Sequence, residues 1–215
     1  MSSCSAWRLY VIVDRAAIGG RDPAEVAAAA MRGGADVIQW RDKAASGREF
    51  LKEASRLLPL ARTAGIPLII NDRADVAAAI GADGVHLGHD DLPLKEVRRI
   101  LGAERLIGQS THSLEQALVA QEEGADYLGC GPIFPTPTKP DYGSVGVDLI
   151  TRVVTRVQVP VVCIGGIDAM NARQVIAAGA QCVAVVRAVC AAPNPEGAAR
   201  TLKEILEGSK SQLHR

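Results

Sequence analysis

The sequence predicts a (β/α)8 TIM barrel built as a single domain over residues 1–215, and three observations carry that expectation. Eight short runs of β-branched and other apolar residues recur along the chain. They are nearly continuous rather than alternating in hydrophobicity, as strands covered on both faces are. Helical patterns with legible ends lie between them, which implies parallel strands, because parallel neighbours need crossover connections rather than tight hairpins. A helix-stop-to-strand phrase also recurs as Gly34-Ala35-Asp36, Gly81-Ala82-Asp83, Gly124-Ala125-Asp126 and Gly179-Ala180-Gln181, each ahead of an even-numbered strand. A (βα)2 quarter repeated four times is what a closed eightfold barrel leaves in sequence, whereas an open doubly wound sheet has a switch point and no reason for such regularity. The phrase is good helix-stop chemistry as well, and by itself identifies no function.

The strands are expected at residues 9–13, 37–40, 67–70, 84–87, 105–108, 127–129, 159–164 and 182–186. The first helix takes Asp22 as N-cap and Pro23 at its first position and stops at Gly33-Gly34. The second opens with the capping box Ser46-x-x-Glu49 and ends at Gly65; another opens with Ser113-x-x-Gln116 and ends at Gly124. A last helix runs from about Asn194 to Gly208, and residues 1–8 and 209–215 are expected to fray.

Composition narrows the function. Lys plus Arg and Asp plus Glu both total 24, so the net charge is zero and no basic footprint for nucleic acid exists. Aromatics make up only 3% of a chain that is 48% hydrophobic, which speaks against stacking platforms for single strands and for an α/β fold. Any anion must be gripped locally. The five cysteines show no CxxC spacing and are odd in number, which fits reduced, structural thiols in a cytoplasmic protein. The N-terminus lacks a signal-peptide core, and no apolar run approaches the roughly 20 residues a membrane span needs. The expected partners are small phosphorylated molecules, not nucleic acid or membrane; oligomeric state is not legible.

In such a barrel the carboxyl ends of the strands build the active site. After strand two, period-2 spacing puts Gln39, Arg41 and Lys43 on one side, an amide and two cations suited to a polyphosphate. The alternative is a salt-bridged rim in which Asp42 neutralises Arg41. Strand three ends in Asn71-Asp72, and the loop after strand four adds Asp91. Two hard carboxylates are enough for Mg2+, which leaves its other positions to water and substrate phosphates. Asp72 taken alone also reads as the N-cap of a short helix over residues 73–80. His86 and His89 have no third His or Cys at ligand spacing and are read as structural. Ser110 emerges beyond strand five with its hydroxyl available to a ligand, since Ser113 already caps the next helix. The loop after strand six is stiffened by prolines and carries Thr136, Thr138 and Lys139. Gly165-Gly166 after strand seven and Val186-Arg187 after strand eight stand where barrels often hold a phosphate, although a tight βα turn also explains the glycines.

Taken in order, Gln39-x-Arg41-x-Lys43, Asn71-Asp72, His86-x-Gly88-x-x-Asp91, Ser110, the Gly129-to-Lys139 loop and Gly165-Gly166-Ile167 resemble the thiamine-phosphate synthase family from residue 9 to about residue 206. The resemblance implies that Gln39, Arg41, Lys43, Asn71, Ser110 and Lys139 hold 4-amino-2-methyl-5-(hydroxymethyl)pyrimidine diphosphate, with Arg41, Lys43, Ser110 and Lys139 as the catalytic set. It implies Mg2+ on Asp72 and Asp91, and a thiazole phosphate held by Thr136, Thr138, Gly166, Val186 and Arg187. The family reaction joins the two substrates with dissociative loss of pyrophosphate. Two positions depart from the family pattern: Arg187 stands where Ser is usual, and Trp40 where an aliphatic residue is usual, the latter expected to point away from the site. Two other readings remain at this stage, a thiazole tautomerase of the same fold and a non-catalytic ligand-binding regulator.

Overall fold

Eight parallel strands close into a barrel in sequence order: β1 (Leu9–Asp14), β2 (Val37–Arg41), β3 (Leu68–Asn71), β4 (Gly84–Leu87), β5 (Leu106–Thr111), β6 (Tyr127–Cys130), β7 (Val161–Ile164) and β8 (Cys182–Val185), with β8 pairing back onto β1. The computed structural model describes residues 4–137 and 143–208. Around the strands lie α1 (Pro23–Arg32), α2 (Gly47–Ala64), α3 (Ala74–Ile80), α4 (Leu94–Leu101), α5 (Leu114–Glu122), α6 (Asp148–Val154), α7 (Ala172–Ala177), α8 (Arg187–Cys190) and α9 (Pro195–Gly208). The expected (β/α)8 architecture is present.

The period of two divides every strand between two cores. Leu9, Val11, Val13, Ile38, Trp40, Leu68 and Ile70 face outward into the layer between strands and helices, while Tyr10, Ile12, Val37, Ile69, Tyr127 and Val162 fill the barrel axis. Trp40 is fully buried in the outer layer against Phe50, 5.8 Å between ring centroids, and so points away from the axis as its place in the strand requires.

The recurring Gly-Ala-Asp phrase has a structural meaning beyond stopping helices. Gly34, Gly81, Gly124 and Gly179 all take left-handed φ, from 67° to 105°, which favours glycine. The alanine that follows is buried each time. In three copies the aspartate then reaches back to the preceding odd strand: Asp36 accepts from Leu9 N at 2.9 Å, Asp83 from Leu68 N at 2.9 Å and Asp126 from Ile107 N at 2.7 Å. Each carboxylate thereby satisfies a donor in the first two residues of a strand, at the amino end of the barrel that serves stability.

The helix ends follow the sequence signals. Asp22 accepts from Ala24 N at 2.9 Å, the Ser46/Glu49 capping box closes, and Ser113 accepts from Gln116 N at 3.2 Å. Three expectations need correction. The barrel strands β1, β2 and β5 run on through polar Asp14, Arg41 and Gln109–Thr111, because these residues stay in the ladder although the apolar run has ended. Residues 4–8 do not fray: a 3-10 turn spans Cys4–Ala6, and Trp7, 2% exposed, packs edge-on against Tyr127 at 5.4 Å, closing the amino end of the barrel. Residues 209–215 lie outside the described residues. Finally, α3 has Arg73 at its N-cap with no side-chain capping bond, so Asp72 is not a cap.

All five cysteines are unpaired and buried. Burial, helped by the negative charge of Asp126, pushes the Cys4 thiol up to about 11, and burial pushes Cys190 up to about 12. Neither is a reactive thiolate near neutral pH. No helix among the described residues is long and apolar enough to cross a membrane.

Candidate active site

The axis-facing positions turn polar toward the carboxyl ends of the strands, and there the barrel opens into a cavity of about 490 Å3. That is within the range of small-molecule sites. Gln39, Arg41, Asn71, Ser110, Thr136, Gly166, Val186 and Arg187 all contribute to its wall, so most of the residues singled out from sequence converge on one space. Thr138 and Lys139 lie outside the described residues.

On one side of the mouth, each cation is already matched to a carboxylate. Arg41, partnered in register with Asp14 on β1, makes an ion pair with that buried residue. This corrects the expected alternative in which Asp42 neutralises Arg41: Asp42 instead lies 3.6 Å from Arg15, whose guanidinium sits over Trp40. Lys43 reaches across from the end of β2 to Asp72, which follows β3. Asp72 itself adopts φ 60°, an uncommon conformation for a non-glycine residue that Asp tolerates better than most. Asp91 is its carboxylate neighbour, and Asp91 accepts from Gly88 N at 2.6 Å. Burial first, then the neighbouring Asp91, hold Asp72 above the usual carboxylate range, against the pull of Lys43. Two neighbouring carboxylates could share a divalent cation. Among the described residues no set of three or more His, Cys, Asp or Glu gathers as a metal site; Asp72 and Asp91 are the carboxylates here that could hold a hard cation.

The opposite side is made by the ends of β6, β7 and β8. Gly165 and Gly166 have φ of 103° and 62°. A Cβ on Gly165 would sit 2.4 Å from Pro132, and one on Gly166 2.6 Å from the Pro135 carbonyl oxygen. Glycine is therefore required here for close packing of two loops, whatever the cavity holds. Asn71 is 9% exposed at the end of β3, and Arg187 opens the short α8 with its guanidinium exposed and without an ion pair or hydrogen bond among the described residues.

The floor was not anticipated. Gln39 Nε2 donates to the Tyr10 hydroxyl at 2.7 Å, Tyr10 and Tyr127 hydroxyls meet at 3.0 Å, Tyr127 meets His86 Nδ1 at 3.1 Å, and His86 Nε2 meets Ser110 Oγ at 3.0 Å. His86 was read as a structural residue; it lines the cavity. The missed signal is the alternation itself: once Gln39 and Ser110 face the axis, the same period in β1, β4 and β6 puts Tyr10, Asp14, His86 and Tyr127 beside them.

A family model described as Thiamine monophosphate synthase matches residues 9–189. A thiamine-phosphate synthase from Roseiflexus sp. (strain RS-1) is 48% identical over 208 residues, 96% of this chain and 88% of its own length. One from Chloroflexus aurantiacus is 49% identical over 201 residues, 93% of each chain. Among solved structures, the thiamine phosphate pyrophosphorylase from Pyrococcus furiosus superposes with a TM-score of 0.88 at 38% identity, covering 95% of this chain and 98% of that one. With barrel, cavity and sequence in agreement over nearly its whole length, this chain belongs to the thiamine monophosphate synthase family of transferase enzymes.

Proposed function

We propose that the protein condenses 4-amino-2-methyl-5-(hydroxymethyl)pyrimidine diphosphate with a thiazole phosphate, forming thiamine phosphate and releasing pyrophosphate. The observation that carries this reading is the division of the cavity mouth. On one side Arg41 stands in the cavity wall, with the Lys43–Asp72 pair and Asp91 at the strand ends outside that wall, and the other side presents the glycine-lined loops and Arg187.

Gln39 and Ser110 bind the pyrimidine ring at the floor, and Asn71, Arg41, Lys43 and Lys139 receive the diphosphate. The bond between the pyrimidinylmethyl carbon and the diphosphate oxygen breaks with its electron pair leaving on oxygen. The thiazole nitrogen then supplies the pair for the new carbon–nitrogen bond. The cations are aimed where negative charge grows, so their contacts strengthen along the reaction. The aminopyrimidine delocalises the positive charge left behind, and no protein nucleophile is called for. Asp72 and Asp91 would hold Mg2+, which when bound supplies charge neutralisation for the diphosphate and its departure. Lys43, paired here with Asp72, would present its ammonium group to the diphosphate. Thr136, Thr138, Gly166, Val186 and Arg187 hold the acceptor's phosphate, Arg187 as a side-chain cation where the family usually has serine. Buried, unpaired thiols support a reducing, cytoplasmic setting.

Incubation of the purified protein with both substrates and Mg2+, with chromatographic detection of thiamine phosphate, tests the reading. Product formation is expected; isomerisation of the thiazole without condensation would assign the protein to tautomerase chemistry instead.

A further inference from the structure

We propose that Tyr10, Tyr127 and His86 are positioning residues that fix the hydrogen-bond polarity of Ser110, so that Ser110 meets the pyrimidine ring as a donor to one of its ring nitrogens. The ligand named rests on the function proposed above; the polarity rests on the floor's geometry.

Five side chains follow one another in hydrogen-bond contact, Gln39–Tyr10–Tyr127–His86–Ser110, with successive distances of 2.7, 3.0, 3.1 and 3.0 Å. The direction of this relay follows from proton counting. An amide nitrogen only donates, so the Tyr10 oxygen accepts from Gln39, and since a buried hydroxyl proton is costly to leave unbonded, the Tyr10 proton goes on to the Tyr127 oxygen at 3.0 Å. The Tyr127 proton in turn goes to His86 Nδ1. An imidazole that accepts at Nδ1 and is neutral carries its proton at Nε2. His86 therefore donates to Ser110 Oγ. The serine oxygen, already accepting one bond, keeps its own proton for the cavity. Both tyrosines are fully enclosed and burial holds their hydroxyls well above the ordinary value, so both retain their protons.

The barrel makes room for this relay at specific cost to its own packing. His86, Gly108 and Tyr127 are register neighbours on β4, β5 and β6. A Cβ on Gly108 would come within 2.1 Å of Tyr127 Cζ and 2.5 Å of His86 Nδ1. One on Gly129, the register partner of Ser110, would press on His86 Cε1 at 3.1 Å. Two strand glycines, unfavourable in a strand interior, thus stand where side chains would separate the histidine from its partners. A floor needed only for filling would be served by apolar residues with none of these constraints.

The test combines a tautomer measurement with kinetics. In the ligand-free protein, long-range 1H–15N correlation with 15N-labelled histidine should show His86 neutral and protonated at Nε2. In Tyr127→Phe the lock on Nδ1 is gone and the spectrum should show both tautomers. The same isosteric variant should raise KM for the pyrimidine diphosphate about 3- to 10-fold, the range for one neutral hydrogen bond, and leave KM for the thiazole phosphate unchanged. Ser110→Ala should raise the same KM, and Tyr127→Phe added to it should contribute nothing more, since it acts through the missing hydroxyl. An Nδ1-protonated His86 in the unsubstituted protein, additive effects of the two substitutions, or equal losses for both substrates would each overturn the proposal. If the unsubstituted protein bound no pyrimidine diphosphate at all, the functional reading and the ligand named here would fall together. The tautomer in the ligand-free protein tests the relay's direction independently of that outcome.

Discussion

Asp14 and Arg41 are direct partners across the β1–β2 ladder, and their side chains meet as an ion pair at the inner edge of the barrel mouth. Asp14 is 2% exposed and its other oxygen accepts from Ala16 N at 2.9 Å, so the carboxylate is fixed from two directions and in turn fixes the guanidinium. Asp14→Asn keeps the size and an acceptor oxygen while removing the charge. It should lower kcat/KM about 10- to 100-fold, the range for a lost charged hydrogen bond, with the larger share in kcat if Arg41 meets the departing diphosphate as proposed. Steady-state kinetics with the pyrimidine substrate varied checks this; unchanged kinetics would mean that Arg41 orients without help.

Asp72→Asn and Asp91→Asn probe the carboxylate pair. Asparagine tolerates the left-handed backbone of residue 72, and each change removes one of two mutually repelling charges, so thermal stability should change little. Turnover should fall about 10²-fold or more and require higher Mg2+. Initial rates over a Mg2+ titration decide it, and undiminished turnover without added Mg2+ in both variants would remove the metal from this site.

Arg187→Ser exchanges an exposed cation for the residue usual in the family. With no ion pair to lose among the described residues, the protein should keep its stability. Affinity for the thiazole phosphate should drop several-fold, about the worth of one charged hydrogen bond, and that for the pyrimidine diphosphate should hold. Calorimetric titration of each substrate separates these, and no change in either would leave Arg187 a solvated surface residue.

At the far end of the barrel the opposite pattern is expected. Asp126 accepts from Ile107 N at 2.7 Å and pairs with Arg98 at 2.6 Å, both remote from the cavity. Asp126→Ala should cost about 1–3 kcal/mol of stability by leaving a strand donor and a cation unpaired, with KM and kcat intact. Chemical denaturation alongside the turnover assay measures both.

The barrel was legible in the sequence because each of its signals is local: continuous apolar runs, capping residues, and a glycine phrase at left-handed φ in all four copies. The wall of the site was legible because Gln39, Arg41, Asn71 and Ser110 lie where apolar runs give out. The floor was harder to read, because Tyr10, His86 and Tyr127 sit within runs that look like ordinary barrel strands, and their partners come from strands distant in sequence. Only closure of the barrel brings residues 10 and 127 together. Gly166 shows a different limit: its need for close approach is visible in sequence, but not that the approaching atoms are Phe134 and Pro135.

The account stands most directly on one time course, followed by 31P NMR, of the unsubstituted protein with pyrimidine diphosphate, thiazole phosphate and Mg2+. The diphosphate resonances should give way to free pyrophosphate in one-to-one proportion with thiamine phosphate, and chelation of Mg2+ should arrest both. Persistence of the two substrates in the presence of folded protein and Mg2+, or thiazole isomerisation with the diphosphate intact, would contradict it.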